Sequence, residues 1–219
     1  VIIVPSAGQY NDLITLLDEK NGFSDLDDRY YFAAQAFNVS SHYDTAIFNY
    51  FNRKTQIKAF KQSLNQSEVL RYGENPHQEG VFYGDLSIIF EQLNGKAISY
   101  NNLVDLEAAL ALSREFKEPS FAIIKHTNAC GVATRQTLKQ AWYDALAGDP
   151  VSAFGGVVAS NRIIDFDTAE EVNKLFFEIL IAPAYDEQAL AILRSKKNRM
   201  ILLQKKSLTE TKQSKSILN

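Results

Sequence analysis

The chain has 219 residues with a formal net charge of −3, and 46% of its residues are apolar, enough to build one large domain or about one and a half ordinary ones. That charge gives no basic field for a nucleic-acid backbone, and no apolar run approaches the ~20 residues that span a bilayer, so we expect neither a nucleic-acid nor a membrane partner. The single cysteine, Cys130, excludes an internal disulfide and a multi-cysteine zinc site, and it fits a reducing cytoplasm.

The first 52 residues show the pattern of one βα unit followed by helices. Val1 to Val4 form a candidate buried strand, and leucines at helical spacing follow it over 11–20. Ser24 is predicted to cap one strong helix and Ser41 a second one. The second helix carries a wide, largely aromatic face, formed by Tyr43, Ile47, Tyr50 and Phe51. We interpret this face as part of the packed core, because aromatic residues at helical spacing are normally buried.

A domain boundary is predicted over 53–67, where the sequence turns polar and basic and loses its periodicity. This linker divides a first domain, 1–52, from a second, 68–203. The polar residues 204–219 are interpreted as a further linker or a frayed tail. The chain also starts without Met inside an α/β unit, so we expect a fragment of a longer protein.

Turn-forming residues directly after the linker, at 70–78, predict a structured loop rather than a helix or a buried strand. In this loop Arg71 offers a planar fork suited to phosphate or carboxylate, and Tyr72 offers a ring and a hydroxyl. The equal alternative is a surface loop whose Arg and Tyr side chains cover a neighbouring helix.

Asn102 lies near the start of a helix predicted over 103–117. Backbone N–H groups at a helix start favour anions, which makes Asn102 a candidate ligand contact. Capping of the helix explains the residue equally well.

An apolar run over 121–124 predicts a short buried strand. It delivers Lys125 and His126 to its carboxyl edge, where ligands usually bind in open α/β sheets. After this pair, Asn128 and Gly131 predict a sharp turn with exposed amide groups, able to hold an anion or a planar amide. The alternative is a solvated turn with a capping histidine.

Ser152, Phe154 and Gly155 belong to a glycine-rich segment whose paired glycines permit close approach of a ligand to the backbone. The segment matches neither the Walker phosphate loop nor the dinucleotide-binding fingerprint. Glu178 directly precedes a later strand, and it either faces a site or merely flanks it. Because strands and helices alternate along the chain, we predict an α/β fold with a largely parallel sheet.

Four segments together resemble one family, in order and at matching separations. They are Leu-Arg-Tyr-Gly-Glu-Asn-Pro-His-Gln at 70–78, Ile-Ile-Lys-His-Thr-Asn-Ala-Cys-Gly-Val-Ala at 123–133, Asp-Pro-Val-Ser-Ala-Phe-Gly-Gly at 149–156 and Ile-Ala-Pro at 181–183. This set is similar to AICAR transformylase/IMP cyclohydrolase, the bifunctional family of purine biosynthesis, in its bacterial form. The resemblance covers nearly the whole chain. It implies that 1–52 is the C-terminal part of an α/β cyclohydrolase domain and that 68–203 is the first, cytidine deaminase-like α/β/α half of the transformylase domain.

The resemblance implies transfer of a formyl group from 10-formyltetrahydrofolate to AICAR and ring closure to IMP, in a cytoplasmic homodimer with shared sites. Lys125 and His126 match the family's catalytic pair. The imidazole takes the amine proton, and the lysine stabilises charge on the formyl oxygen or assists the departing folate nitrogen. The positions that hold AICAR match Arg71, Tyr72, Asn102, Gly155 and Glu178, while Asn128, Gly131, Ser152 and Phe154 are expected to support the site loops. No metal is implied.

The chain departs from the family at Ala129, where Pro is common, and carries Glu178 where some members have Asp; neither change removes a functional group. Since the family's other contacts lie outside this segment, the fragment alone is expected to be inactive or nearly so. One alternative is a zinc hydrolase or deaminase using His126 and Cys130, which supply too few ligands. The other is a non-catalytic dimerisation or scaffold module built on the aromatic helices at 24–51.

Overall fold

The computed structural model describes residues 1–205, which divide into two compact units, Val1–Gln66 and the part that starts at Ser67. Residues 206–219, which make up most of the predicted tail, lie outside the described residues. The helices are α1 Tyr10–Glu19, α2 Leu26–Thr55, α3 Tyr100–Ser113, α4 Leu138–Leu146, α5 Phe166–Val172 and α6 Glu187–Leu193. The strands are β1 Ser67–Val69, β2 Val81–Tyr83, β3 Phe90–Asn94, β4 Ser120–Lys125, β5 Asn128–Thr134, β6 Val157–Ser160, β7 Ile179–Ala182 and β8 Met200–Gln204.

The first unit contains one long helix, α2, where the sequence predicted two. Its N-cap is Asp25, not Ser24, and Asp25 forms a reciprocal capping box with Asp28. Ser41 lies inside the helix, where its hydroxyl donates back to the Asn38 carbonyl at 3.3 Å, so the serine does not interrupt the backbone ladder. The predicted strand over 1–4 is also wrong, because within 1–66 there is no strand for it to pair with.

The aromatic face of α2 is exposed in the described residues rather than packed. Tyr43, Tyr50 and Phe51 are 67%, 66% and 65% exposed, and Phe32 is the one buried residue of the helix. Our interpretation of this face as core is therefore wrong for residues 1–205. Helical spacing indicates which side chains share a face, but it does not indicate which segment covers that face.

The second unit is built on a six-stranded sheet with the order β3-β8-β7-β6-β4-β5. The pairs β6–β7 and β7–β8 are parallel, whereas β3–β8, β4–β5 and β4–β6 are antiparallel. The α/β class is thus confirmed, but the sheet is mixed instead of largely parallel. The reason is local: β4 and β5 form a tight hairpin, and β4 itself runs against β6.

Helices cover both faces of this sheet, as the continuous apolar strands require. Phe121 and Ile123 of β4 pack on the side of α4, α5 and α6, while Ile124 packs on the side of α3. The same alternation in β6, β7 and β8 gives two buried clusters separated by the sheet. The architecture of the described residues is three layers, with α3, Leu70 and Leu86 packed against one face.

The direction of β4 decides which residues meet at one edge of the sheet. Ile124 pairs with Val157, Val157 with Ile179, and Ile179 with Met200. The carboxyl end of β4 therefore lies beside the amino ends of β6, β7 and β8, the reverse of the arrangement that the sequence interpretation assumed. We call this side the Lys125 edge, defined by Lys125 and by the residues that directly precede β6, β7 and β8.

Arg199 braces this edge from inside the fold. It is 3% exposed, its guanidinium lies 4.1 Å from the Phe177 ring centroid, and it donates to Asn173 Oδ1 at 2.6 Å and to the Leu175 carbonyl at 3.1 Å. Burial lowers the pKa of this guanidinium.

Replacing Arg199 by Met is expected to lower the free energy of unfolding by roughly 2–3 kcal/mol, because two acceptors lose their donor inside the protein. Urea unfolding measures the loss, and Arg194→Met, at an exposed position after α6, is the matched control. An equal effect of the two substitutions would contradict the bracing role.

Candidate functional site

The turn between β4 and β5 consists of His126 and Thr127 alone. Lys125 pairs with Asn128 across it, and φ is 50° at His126 and 62° at Thr127. Positive φ at both central residues is typical of type I′ hairpin turns. The predicted turn is thus real but starts two residues earlier than expected, and Asn128 supports it by donating from Nδ2 to the His126 carbonyl at 2.8 Å.

Two non-glycine residues in succession hold a conformation that costs each of them about 1 kcal/mol. The described residues contain four such positions, and only His126 and Thr127 are adjacent. The turn is held from outside by α3, because the Thr127 amide donates to Asp105 Oδ1 at 2.7 Å. Backbone strain that neighbouring elements maintain is typical of functional sites.

His126 is exposed beside a cleft of about 500 Å³ whose lining includes Lys125, Asn128, Cys130, Asp149 and Ser152. Hydrogen bonds from Ser152 lower the pKa of Asp149, and the Ser152 amide donates to its Oδ1 at 2.9 Å. Burial, and next the charge of Asp149, raise the pKa of the Cys130 thiol, which disfavours a thiolate at neutral pH. The predicted residues Lys125, His126, Asn128 and Ser152 therefore share one cleft.

Gly131 does not belong to this cleft and does not turn the chain. It lies within β5, and a Cβ atom there would stand 1.8 Å from the Ala145 carbonyl oxygen of α4. The expectation of a turn at Gly131 is wrong: the glycine is needed for close packing of β5 on α4.

Lys125 reaches from β4 to the glycine-rich segment, where its ammonium donates to the Phe154 carbonyl. Gly155 follows with φ of 72°, and its amide donates to the Phe176 carbonyl at 2.8 Å. The Phe154 ring packs on the Phe176 ring with centroids 5.1 Å apart. Lys125, Phe154 and Gly155 are thus brought together at the Lys125 edge.

Glu178 joins the same edge from the start of β7. Its amide donates to the Gly156 carbonyl at 2.9 Å, and its carboxylate accepts from Lys96 Nζ at 3.3 Å and from Asn102 Nδ2 at 3.1 Å. Asn102 is 7% exposed and also forms the capping box of α3 with Ser99. The capping interpretation of Asn102 is confirmed, and the same side chain also binds the Glu178 carboxylate, whereas contact with a ligand stays a prediction.

Arg71 and Tyr72 lie on a loop fixed beside the start of α3. The Arg71 amide donates to the Ile98 carbonyl at 3.1 Å, and the Tyr100 amide donates to the Tyr72 carbonyl at 3.2 Å. The Arg71 guanidinium lies 4.6 Å from the Tyr72 ring centroid. Within residues 1–205 no hydrogen bond joins either side chain to Lys125 or to His126.

Two residues of this region escaped the sequence analysis, Lys96 and Asp105. Lys96 gave no signal, because a lysine after an Asn-Gly turn is typical of solvent-exposed loops. Asp105 could have been found, since Ser99, Asn102 and Asp105 recur at three-residue spacing on a helix that is otherwise largely apolar.

In the part of the chain that the structure describes, no group of three or more His, Cys, Asp or Glu side chains is arranged to hold a metal ion. Within the same residues, no helix combines the length and apolarity that crossing a membrane needs.

Comparison with known proteins gives a consistent result. The family model for the AICARFT/IMPCHase bienzyme matches residues 1–219. The bifunctional purine biosynthesis protein PurH of Bacteroides thetaiotaomicron is 55% identical over 219 residues, which are 100% of this chain and 43% of that protein. PurH of Lactobacillus delbrueckii subsp. bulgaricus is 40% identical over 231 residues, covering 100% of this chain and 45% of its own length.

The chain therefore spans less than half the length of these curated relatives. A crystal structure of a formate dehydrogenase accessory protein, described as putative, from Desulfotalea psychrophila overlaps 46% of this chain and 54% of its own. Its TM-score is 0.35 at 11% identity, which is too low to carry an argument about the fold.

Proposed function

This chain belongs to the AICARFT/IMPCHase bienzyme family, and on that premise we propose that it is an internal part of a bifunctional enzyme that formylates AICAR and closes the product to IMP. The formyl donor is 10-formyltetrahydrofolate, and the enzyme works in the cytoplasm. The proposal is supported by one observation above all: Lys125, Gly155, Glu178 and Asn102, which come from separate segments, meet at the Lys125 edge.

His126 is the general base of the formyl transfer. The amine of AICAR is a poor nucleophile because its lone pair is delocalised into the imidazole carboxamide. An exposed imidazole at the tip of a fixed turn takes the amine proton, directly or through the neighbouring carboxamide, as the amine attacks the formyl carbon.

Lys125 supplies the positive charge for the same step. Its ammonium, held at the Phe154 carbonyl, stabilises the negative charge that develops on the formyl oxygen or assists protonation of the folate nitrogen as it leaves. The acceptor oxygens of Glu178 and the backbone at Gly155 bind AICAR, with Asn102 fixing the carboxylate. Arg71 and Tyr72 contribute the planar cation and ring that recognise its charged or amide groups.

The two units have separate roles in this proposal. The first, with the boundaries predicted at 1–52 and a linker at 53–67, is the end of the cyclohydrolase domain. The second, 68–203, is the first, cytidine deaminase-like half of the transformylase domain. The enzyme acts as a homodimer with shared sites, and the fragment alone is inactive or nearly so because the remaining AICAR and folate contacts lie on other segments.

Calorimetry with AICAR and an assay of formyl transfer, both on the full-length protein, test this function. We expect binding and turnover for the full-length protein, and no or nearly no turnover for the 219-residue fragment. The scaffold alternative predicts no heat with AICAR. Stoichiometric zinc together with deaminase or hydrolase activity would favour the other alternative.

Arg71→Ala in the full-length protein is expected to weaken AICAR binding roughly tenfold or more, because a charge-assisted contact to the nucleotide is lost. Calorimetry measures the change, and Arg194→Ala on the exposed end of α6 is the control. Unchanged affinity for Arg71→Ala would remove this residue from the proposed site.

A further inference from the structure

We propose that Lys96 is a positioning residue for Glu178, which fixes the carboxylate in the orientation that receives AICAR. The inference rests on the function proposed above and adds to it a residue that is not among the predicted site residues. Lys96 Nζ lies 3.3 Å from Glu178 Oε1, and the two residues are separated by more than eighty positions in the chain.

Lys96 and Asn102 each donate a hydrogen bond to a different oxygen of the Glu178 carboxylate. Lys96 binds Oε1, and Asn102 Nδ2 binds Oε2 at 3.1 Å. The terminal torsion of a glutamate is otherwise broad, so donors on both oxygens are needed to fix its plane. An ionised carboxylate offers about four acceptor sites, which leaves about two for a ligand.

Lys96 differs from an ordinary surface lysine because its backbone is anchored at the sheet edge. Gln92 Nε2 donates to the Lys96 carbonyl at 2.8 Å, and Asn94 Nδ2 donates to the Arg199 carbonyl at 2.7 Å. Gly95 approaches Arg199 so closely that a Cβ atom would lie 2.5 Å from the same carbonyl oxygen. The backbone that carries Lys96 is thereby tied to the residue directly before β8.

The Lys96–Glu178 pair is exposed enough to reach a ligand but is not fully solvated. The Lys96 and Glu178 side chains are 30% and 32% exposed. The ion pair between Glu171 on α5 and Lys174 in the turn after α5 differs in two respects. Its residues are only three positions apart in the chain, and the Lys174 side chain is 70% exposed. The second pair has similar chemistry, but its lysine holds Glu171 and not Glu178, which makes it a matched control.

The test is steady-state kinetics of AICAR formylation by the full-length protein, with AICAR as the varied substrate. Lys96→Met is expected to raise KM for AICAR roughly fivefold with kcat nearly unchanged, since a partly exposed ion pair is worth up to about 1 kcal/mol and acts here on binding. Lys96→Arg should restore most of the affinity, because it keeps the charge and the donors. Lys174→Met should leave KM as in the wild type.

A double-mutant cycle separates positioning from a direct contact between Lys96 and the substrate. In a Glu178→Gln background, Lys96→Met is expected to add little further loss of affinity, because its target is already altered. Additive losses, an unchanged KM for Lys96→Met, or no rescue by Lys96→Arg would overturn the inference. If the wild-type protein does not bind AICAR, the proposed function fails and the inference fails with it. If it binds and only the Lys96 arms deviate, the inference alone fails.

Discussion

His126→Asn in the full-length protein is expected to lower kcat for AICAR formylation at least roughly a hundredfold, because loss of a general base typically removes a factor of about 10²–10⁴. Asparagine is the informative replacement, since His126 holds φ at 50° and asparagine tolerates this conformation whereas alanine adds strain. The loss of rate is then due to the missing imidazole and not to a distorted hairpin. A formyl-transfer assay with saturating substrates measures the effect.

Thr127→Asn is the matched control for that experiment. It changes the other central residue of the same turn, where φ is 62°, and it keeps the imidazole. We expect it to retain activity within about twofold and to unfold at slightly higher temperature, because a β-branched residue leaves an unfavourable backbone conformation. Retention of more than about a tenth of wild-type activity by His126→Asn would contradict the general-base role.

Gly131→Ala is expected to lower the free energy of unfolding by about 3 kcal/mol or more, at the upper end for added atoms in a packed core. The added methyl group would stand 1.8 Å from the Ala145 carbonyl oxygen. That atom is main chain, so relief requires β5 and α4 to separate and not merely a side chain to rotate. Urea unfolding of the protein measures the change.

Gly8→Ala introduces the same methyl group where its nearest contact is Ser6 Oγ at 3.9 Å. We expect no loss of stability from this control, because ordinary van der Waals distance is kept. If both alanine variants were equally stable, the close approach of β5 to α4 would not exist in solution.

Much of the second unit follows from its sequence, because its central strands β4, β6, β7 and β8 are largely buried. β4 carries a continuous apolar run between Ser120 and Lys125, and β7 one between Glu178 and Pro183, and both appear where the sequence predicts a strand. The direction of β4 was not predictable in the same way. It depends on a two-residue turn, and His-Thr lacks the Asn-Gly signature by which such turns are usually identified.

The site shows the same limit of local patterns. Lys125 and His126 stand out because a strand leads directly into them. The pairing of Glu178 with Lys96 and Asn102 does not show in the sequence, because these contacts form only once three separate segments have packed. Gly131 was misinterpreted for a related reason: a glycine inside a loop-like sequence predicts a turn, whereas its requirement here comes from the approach of α4.

The position of β3 at one end of the sheet has a consequence during synthesis on the ribosome. Phe90 of β3 pairs with Gln204 of β8, so more than a hundred further residues must be translated after β3 before the two strands can pair. At ordinary elongation speeds that interval is on the order of 10 s. During this interval Lys96 has been synthesised, but the β8 segment that anchors its backbone near Glu178 has not. A stalled or prematurely released product that ends before β8 therefore cannot form the Lys96–Glu178 contact.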